Sequence, residues 1–158
     1  AEGTGIATAA GCQLVASCDL AVAADTAQFS TPGVHIGLFC STPMVALSRN
    51  VSSTHAMEML LTGGMTPARR AEEIGLINRA VPPAELQEAA MEMARKIASK
   101  SVMTLATGKR AFYAQREIPL SDAYDYASGV MVGNMLVRDA QEGISAFLEK
   151  RSPQWQDQ

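Results

Sequence analysis

The chain has 158 residues, of which 47% are hydrophobic and 18% are charged, and its net charge at pH 7 is −3. A chain of this length suits a single domain with a substantial buried core. The slightly acidic balance, without a basic cluster, argues against a nucleic-acid partner, and no apolar run reaches the roughly 18 residues that a membrane span requires.

The first part of the chain predicts a helix followed by short strands. Small side chains cluster where this helix begins, at Ala7, Ala9, Ala10 and Gly11. Residues 19–24 and 27–30 are apolar runs of the length and composition typical of buried strands. Pro32 and Gly33 predict a turn, and residues 34–39 are predicted to form a short extended segment.

From about residue 42 onward the sequence predicts mainly helices. Capping residues, prolines and apolar periodicity mark their starts, at Ser53, Pro67, Pro82, Ser101, Leu120 and Asp139. Gly63 and Gly75 are predicted to end the first two of these helices. Residues 76–81 predict one further short strand.

The three cysteines indicate neither a metal site nor a disulfide framework. Cys12, Cys18 and Cys40 lack the spacing of metal ligands. Cys12 and Cys18 also lie too far apart along one helical segment for an easy bridge. We therefore interpret the cysteines as buried, reduced thiols, which fits a protein of a reducing compartment.

The small residues at the first helix leave room for a ligand. The first N–H groups of a helix have no acceptor within it, and the helix dipole favours negative charge there. If the ligand oxygen belongs to a thioester, these N–H groups stabilise an enolate or a tetrahedral oxyanion. The alternative is that Ala9, Ala10 and Gly11 only allow the helix to pack tightly against the sheet.

Four segments together indicate a family. They are "GIATAAGCQLVASCDLAVAA", "SCDLAVAADTAQFSTPGVHIGL", "AMEMLLTGGMTPARRAEEIGLINRAVPPAELQEAAMEMARKIA" and "EGISAFLEKRSPQW". In this order, over almost the whole chain, they resemble the crotonase family, also called the enoyl-CoA hydratase/isomerase family. The resemblance implies an α/β fold, a spiral of ββα units followed by a C-terminal helical region that builds trimers, often paired into hexamers.

The resemblance also implies how the chain divides. Residues 1–80 correspond to the second half of the spiral core, and residues 81–158 to the helical oligomerisation region. The first half of the spiral has no counterpart in this sequence. In relatives that first half supplies a second oxyanion-hole N–H and much of the coenzyme A pocket.

Several site residues follow from the resemblance. The N–H of Ala10 would bind the thioester carbonyl of an acyl-CoA, with Ala9 and Gly11 keeping the space around it open. Phe147 and Lys150 match positions that reach the coenzyme A nucleotide of a neighbouring subunit, where an aromatic face suits adenine and an ammonium group suits phosphate. Coenzyme A enters as part of the substrate, and no other cofactor or metal is implied.

Two positions depart from the hydratase pattern. Hydratases of the family hold and activate water with two glutamates, and these positions are Gln13 and Gly33 here. An amide cannot act as a general base near neutral pH, and glycine has no side chain. Gln13 either orients water or substrate, or is tied to the backbone. His35 and Cys40 are considered as replacements: His35 because it would share a face with Gly33 on an extended segment, and Cys40 only if its pKa were lowered.

Three hypotheses for function remain open from the sequence. The first is an enzyme of fatty acyl-CoA metabolism, nominally a lyase or isomerase, that acts through a thioester enolate. The second is a non-catalytic acyl-CoA-binding or oligomeric interaction protein. The third is a fragment that functions only within a longer protomer. We expect a cytoplasmic protein, or a mitochondrial one if the source is a eukaryote.

Overall fold

The computed structural model describes residues 1–157, and the chain forms two compact units, Ala1–Met93 and Ala94–Gln158. The first unit is α/β and the second is helical, which agrees with the predicted fold class. The division predicted after residue 80 concerns roles in assembly and stays a prediction. No helix in the described part of the chain is long and apolar enough to cross a membrane.

Six short strands form two sheets in the first unit. They are β1 (Glu2–Gly3), β2 (Ile6–Thr8), β3 (Val22–Ala24), β4 (Gln28–Ser30), β5 (Thr66–Pro67) and β6 (Arg79–Val81). One sheet has the order β1-β3-β6 with parallel pairs, and the other has the order β2-β4-β5. Strand β4 pairs with β2 in parallel and with β5 antiparallel. The three strands predicted from the sequence are confirmed as β3, β4 and β6.

Helices surround these strands and continue into the second unit. They are α1 (Ala10–Ser17), α2 (Ser41–Leu47), α3 (Ser53–Thr62), α4 (Ala68–Glu73), α5 (Leu86–Ala98), α6 (Val102–Gln115), α7 (Leu120–Met135) and α8 (Arg138–Glu149). Short 3₁₀ helices cover Pro32–Ile36 and Pro83–Glu85. The 3₁₀ turn delays the start of the long helix predicted at Pro82, and α7 ends earlier than expected.

Strand β3 is buried on both faces, which suits a central parallel strand. Because side chains alternate along a strand, Ala23 packs into the main core while Val22 and Ala24 pack against Leu86 of α5. The main core lies between the sheets and helices α1 to α4. Phe29 is among its largest fully buried side chains.

Side-chain caps fix the starts of two helices. The Ser52 hydroxyl accepts the His55 N–H at the start of α3, one residue before the predicted cap. The Ser101 hydroxyl accepts the Thr104 N–H at 3.2 Å, so the predicted start of α6 is confirmed. Gly63 ends α3 with a φ of 61°, a left-handed conformation that favours glycine.

The prediction of an extended segment over residues 34–39 is wrong. Residues up to Ile36 continue the 3₁₀ helix from Pro32, and Gly37 then reverses the chain with a φ of 75°. The Leu38 N–H donates to the Gly33 carbonyl at 3.0 Å, which closes the turn. His35 and Gly33 therefore do not share the face of a strand, and the argument for His35 as a replacement acid or base loses its geometric basis.

Candidate functional site

The N-terminus of α1 is open to a ligand. Its first intrahelical hydrogen bond runs from the Gln13 N–H to the Ala9 carbonyl at 2.9 Å. The N–H groups of Ala10, Gly11 and Cys12 precede this bond and have no acceptor within the helix. No side chain caps the helix, its first turn carries no acid, and Ala10 is exposed. Ala10, one of the small residues predicted at this helix start, is thus exposed and has no capping side chain in front of it.

Ala9 turns the chain from β2 into α1 through an unusual conformation. Its φ of 47° and ψ of −111° lie outside the regions that alanine normally adopts. Such a residue costs about 1–3 kcal/mol and persists only when its surroundings hold it. Here the Ala9 N–H donates to the Ser30 carbonyl of β4 at 3.0 Å. No local sequence signal predicts this conformation, because alanine disfavours it.

Gln13 lies three residues after Ala10, so the two side chains are neighbours on the surface of α1. Gln13 is half-buried, and its side-chain amide has no hydrogen-bond partner among residues 1–157. The alternative that Gln13 is tied to the backbone is therefore not what the structure shows. An amide in this place is able to hold water or a polar substrate group, but not to remove a proton.

Gly33 occupies a turn that excludes a side chain. Its N–H donates to the Cys40 sulfur at 3.3 Å. A β-carbon at residue 33 would lie only 2.7 Å from the Leu38 carbonyl oxygen and 2.9 Å from the Cys40 sulfur. A glutamate therefore does not fit here unless the backbone at Leu38 moves. The turn around Gly33 thus leaves no room for the acidic side chain that the family resemblance predicts at this position in hydratases.

The two residues considered as replacements have structural contacts. His35 Nε2 lies 3.2 Å from the Gly63 carbonyl oxygen, which also accepts the Ser30 hydroxyl at 2.9 Å. These bonds attach the turn after β4 to the end of α3. Cys40 is buried and accepts the Gly33 N–H, so its sulfur stabilises the same turn.

The first turn of α1 also carries a buried thiol. Burial, aided by the nearby Cys40, raises the pKa of Cys12 to about 11, although the Ser30 backbone N–H acts in the opposite direction. Cys12 is therefore protonated at neutral pH and is not a nucleophile. The interpretation as buried, free thiols is confirmed for Cys12 and Cys40, whereas Cys18 is only half-buried.

The predicted nucleotide-binding residues lie at the end of α8, in the second unit. The Phe147 side chain is 83% exposed in the last turn of the helix. Lys150 follows the helix with a left-handed φ of 55°, and its N–H donates to the Phe147 carbonyl at 3.2 Å. Both side chains are thus free to contact a ligand.

A polar cluster beside these residues was not predicted from the sequence. Glu142 binds the Arg151 guanidinium through both carboxylate oxygens, at 2.6 and 2.9 Å. The nine-residue separation follows no simple helix spacing, so only the folded tail after α8 reveals the pair. Asp139, which the sequence marked only as a helix start, is buried and accepts the N–H groups of Gln156 and Asp157.

Comparisons with known proteins agree with this architecture. The family model described as "Enoyl-CoA hydratase/isomerase" matches residues 1–158. The human mitochondrial enoyl-CoA hydratase domain-containing protein 3 is 56% identical over 151 residues, which cover 96% of this chain and 50% of that protein. The chain thus spans about half the length of the curated relatives that it matches.

Two solved structures support the fold. A crystal structure of enoyl-CoA hydratase from Mycobacterium smegmatis superposes with a TM-score of 0.93 at 52% identity, covering 96% of this chain and 59% of that chain. The crystal structure of human enoyl-CoA hydratase domain-containing protein 3 superposes with a TM-score of 0.90 at 56% identity, covering 95% and 59%.

Proposed function

Because the chain belongs to the enoyl-CoA hydratase/isomerase family, we propose that it binds the thioester carbonyl of an acyl-CoA at the N-terminus of α1. The Ala10 N–H is the proposed donor, and Ala9 and Gly11 leave the space that the carbonyl occupies. The observation that carries the proposal is the uncapped start of α1, where Ala10 is exposed. Backbone donors of this kind polarise a thioester and stabilise its enolate.

The chemistry that follows differs from hydration. Neither Gln13 nor Gly33 accepts a proton from water, so the two groups that activate water in hydratases are missing. The backbone donor of Ala10 does not depend on them. Binding and polarisation of the thioester therefore remain, and we propose that the reaction is nominally that of a lyase or isomerase of fatty acyl-CoA metabolism.

A second candidate function is acyl-CoA binding without catalysis, or oligomeric interaction. The packing of Gly33 against Leu38 and Cys40 favours it, because the turn leaves no room for an acid even after one substitution. Both candidates share the same binding site. They differ only in whether a bound acyl-CoA is converted.

The nucleotide of coenzyme A is proposed to contact Phe147 and Lys150 of a neighbouring subunit. An exposed aromatic ring offers adenine a stacking surface, and an ammonium group offers phosphate a counter-charge. This arrangement requires self-association, which we propose to be a trimer or hexamer. A mitochondrial location is proposed if the source is a eukaryote, since the similar human protein is named as mitochondrial.

The binding site is tested by adding bulk at Ala10. Leucine keeps the helix, because it is a good helix former, but fills the space in front of the N–H. The test uses the full protein as it occurs in its source. There we expect Ala10→Leu to abolish the binding of a non-reactive acyl-CoA thioether, measured by calorimetry.

Ser17→Leu is the matched control, since it adds similar bulk at the exposed far end of the same helix. It is expected to retain the parent's affinity. Equal affinity of Ala10→Leu and the parent would favour the packing explanation for the small residues and would overturn the proposal.

A further inference from the structure

The end of α8 is held by one carboxylate. The Glu142 carboxylate accepts hydrogen bonds from both terminal nitrogens of Arg151, and it also accepts one from the Gln154 N–H at 2.9 Å. The Arg151 Nε donates to Glu149 at 2.6 Å. Glu142 and Glu149 are seven residues apart and share a helix face, so Arg151 lies folded back along that face.

We call the ion pair of Glu142 and Arg151 the clamp. Lys150 lies in the chain between the end of α8 and Arg151. A left-handed φ of 55° is uncommon for a residue other than glycine, asparagine or aspartate. The conformation is fixed on both sides: the Lys150 N–H donates to Phe147, and the Arg151 N–H donates to the Ala146 carbonyl at 3.0 Å. The direction in which the Lys150 side chain leaves the backbone therefore depends on where Arg151 is held.

The two side chains of the clamp carry opposite charges at neutral pH. Hydrogen bonds from Arg151 and from the Gln154 N–H lower the pKa of Glu142 to about 2. Hydrogen bonds to Glu142 and Glu149 raise the pKa of Arg151 above its ordinary value. Both partners are ionised at neutral pH. A paired guanidinium and carboxylate in two-point contact is also geometrically specific, in a way that a lysine in the place of arginine does not reproduce.

We propose, resting on the nucleotide-binding role proposed above for Lys150, that Glu142 and Arg151 are positioning residues for the phosphate-binding ammonium group. They fix the left-handed cap after α8, and the cap presents Lys150 to the coenzyme A nucleotide. Neither side chain needs to touch the ligand, because each acts through Lys150. Phe147 belongs to the helix itself and does not depend on the clamp.

The test compares two ligands. One is a non-reactive acyl-CoA thioether, and the other is the matching acyl-pantetheine thioether, which lacks the nucleotide. With the full protein, we expect Lys150→Ala, Glu142→Gln and Arg151→Lys each to weaken binding of the CoA ligand about threefold, the size of a solvated ion-pair contact. None of the three is expected to change the affinity for the pantetheine ligand.

A double variant separates positioning from an independent contribution. If Glu142 acts through Lys150, Lys150→Ala combined with Glu142→Gln binds the CoA ligand no more weakly than Lys150→Ala alone. Additive losses would overturn the proposal. Equal losses for both ligands would also overturn it, since they would indicate general damage to the fold.

Asp139→Asn is the matched control for the tail. Asp139 holds Gln156 and Asp157 but takes no part in the clamp. It is expected to lower the melting temperature while leaving both affinities unchanged. If Lys150→Ala weakens CoA binding and Glu142→Gln does not, the positioning role is wrong while the proposed function stands. If the parent binds neither ligand, the proposed function fails and the positioning role fails with it.

Discussion

At the scale of single residues, Gln13 and Gly33, which the family resemblance matches to the two hydratase glutamates, differ from glutamate in different ways. Gln13 keeps a polar side chain of nearly the same size as glutamate but cannot exchange a proton. Gly33 has been enclosed by its own turn, with the Leu38 carbonyl and the Cys40 sulfur where a side chain would begin. The first change is chemical and the second is steric.

The steric difference predicts that restoring both acids does not restore hydration. We expect the parent to hydrate a short enoyl-CoA at least ~10³-fold more slowly than a relative with both glutamates, the usual range for acid–base groups. Gln13→Glu combined with Gly33→Glu is expected to remain as slow and to lose about 1–3 kcal/mol of stability through overpacking. A spectrophotometric assay and thermal melting measure the two effects.

Gly5→Ala serves as the control for stability, because a β-carbon there meets no atom within 4 Å. Its melting temperature should stay close to that of the parent. A double variant with the relative's rate, or a parent already at that rate, would contradict the prediction. The second result would direct attention back to His35 or Cys40.

At the scale of elements, side-chain packing and hydrogen bonds hold the irregular segment after α8 in place. Trp155 packs over Gly143, where a β-carbon would lie 3.3 Å from the ring, and its Nε1 donates to the Ser99 carbonyl at 2.9 Å. Asp157 accepts the Val102 N–H at 2.7 Å and so satisfies a donor at the start of α6. Irregular backbone is thereby fixed through hydrogen bonds to helix ends.

This attachment is predicted to weaken in acid. The pKa of Glu142 in the folded chain, about 2, lies below its ordinary value of 4.5. A carboxylate with a lowered pKa stabilises the fold fully above its unfolded pKa, and the contribution is lost as the pH falls through the folded pKa. Asp139 shifts in the same direction, mainly through the Ser101 hydroxyl.

Fluorescence of Trp155, the single tryptophan, reports on this transition. We expect its emission to shift to longer wavelength as the pH falls from about 4.5 towards 2, because the tail detaches and the indole becomes solvated. In Glu142→Gln the shift should already be partly present at neutral pH. Far-ultraviolet circular dichroism separates local detachment from unfolding, and an unchanged emission over this interval would contradict the prediction.

At the scale of the whole molecule, the second unit exposes many large apolar side chains. The most exposed of them are Val102, Phe112, Leu120, Tyr124, Met131, Val132, Met135, Leu136, Ile144, Phe147 and Leu148. A groove between α6 and α7 is lined by small and apolar residues, among them Gly108 and Ala127. Within residues 1–157, the buried Asn134 Oδ1 at this groove lacks a hydrogen-bond partner.

We expect this surface to support self-association into a closed trimer or a hexamer, since large exposed apolar patches are usually interfaces. Light scattering at micromolar concentration measures the mass directly. Met131→Glu, which places a charge beside the groove, is expected to lower the assembled fraction. Arg110→Glu, an exposed substitution on α6, is the control, and a monomeric parent would contradict the prediction.

The sequence by itself determined the family, the order of most elements and the open start of α1. These depend on local patterns: apolar runs for β3 and β4, a serine cap for α6, and small residues from Ala9 to Gly11. Each pattern involves only residues that are close together in the chain, so it can be recognised without knowledge of the fold.

Only the tertiary structure decided the details of the site. Ala9 adopts its positive φ because a carbonyl of β4 holds its N–H, and Gly33 is enclosed by atoms five and seven residues away. The clamp of Glu142 and Arg151 exists only after the chain folds back along α8. The physical reason is the same in each case: hydrogen bonds and close packing between segments select conformations that local propensity does not favour.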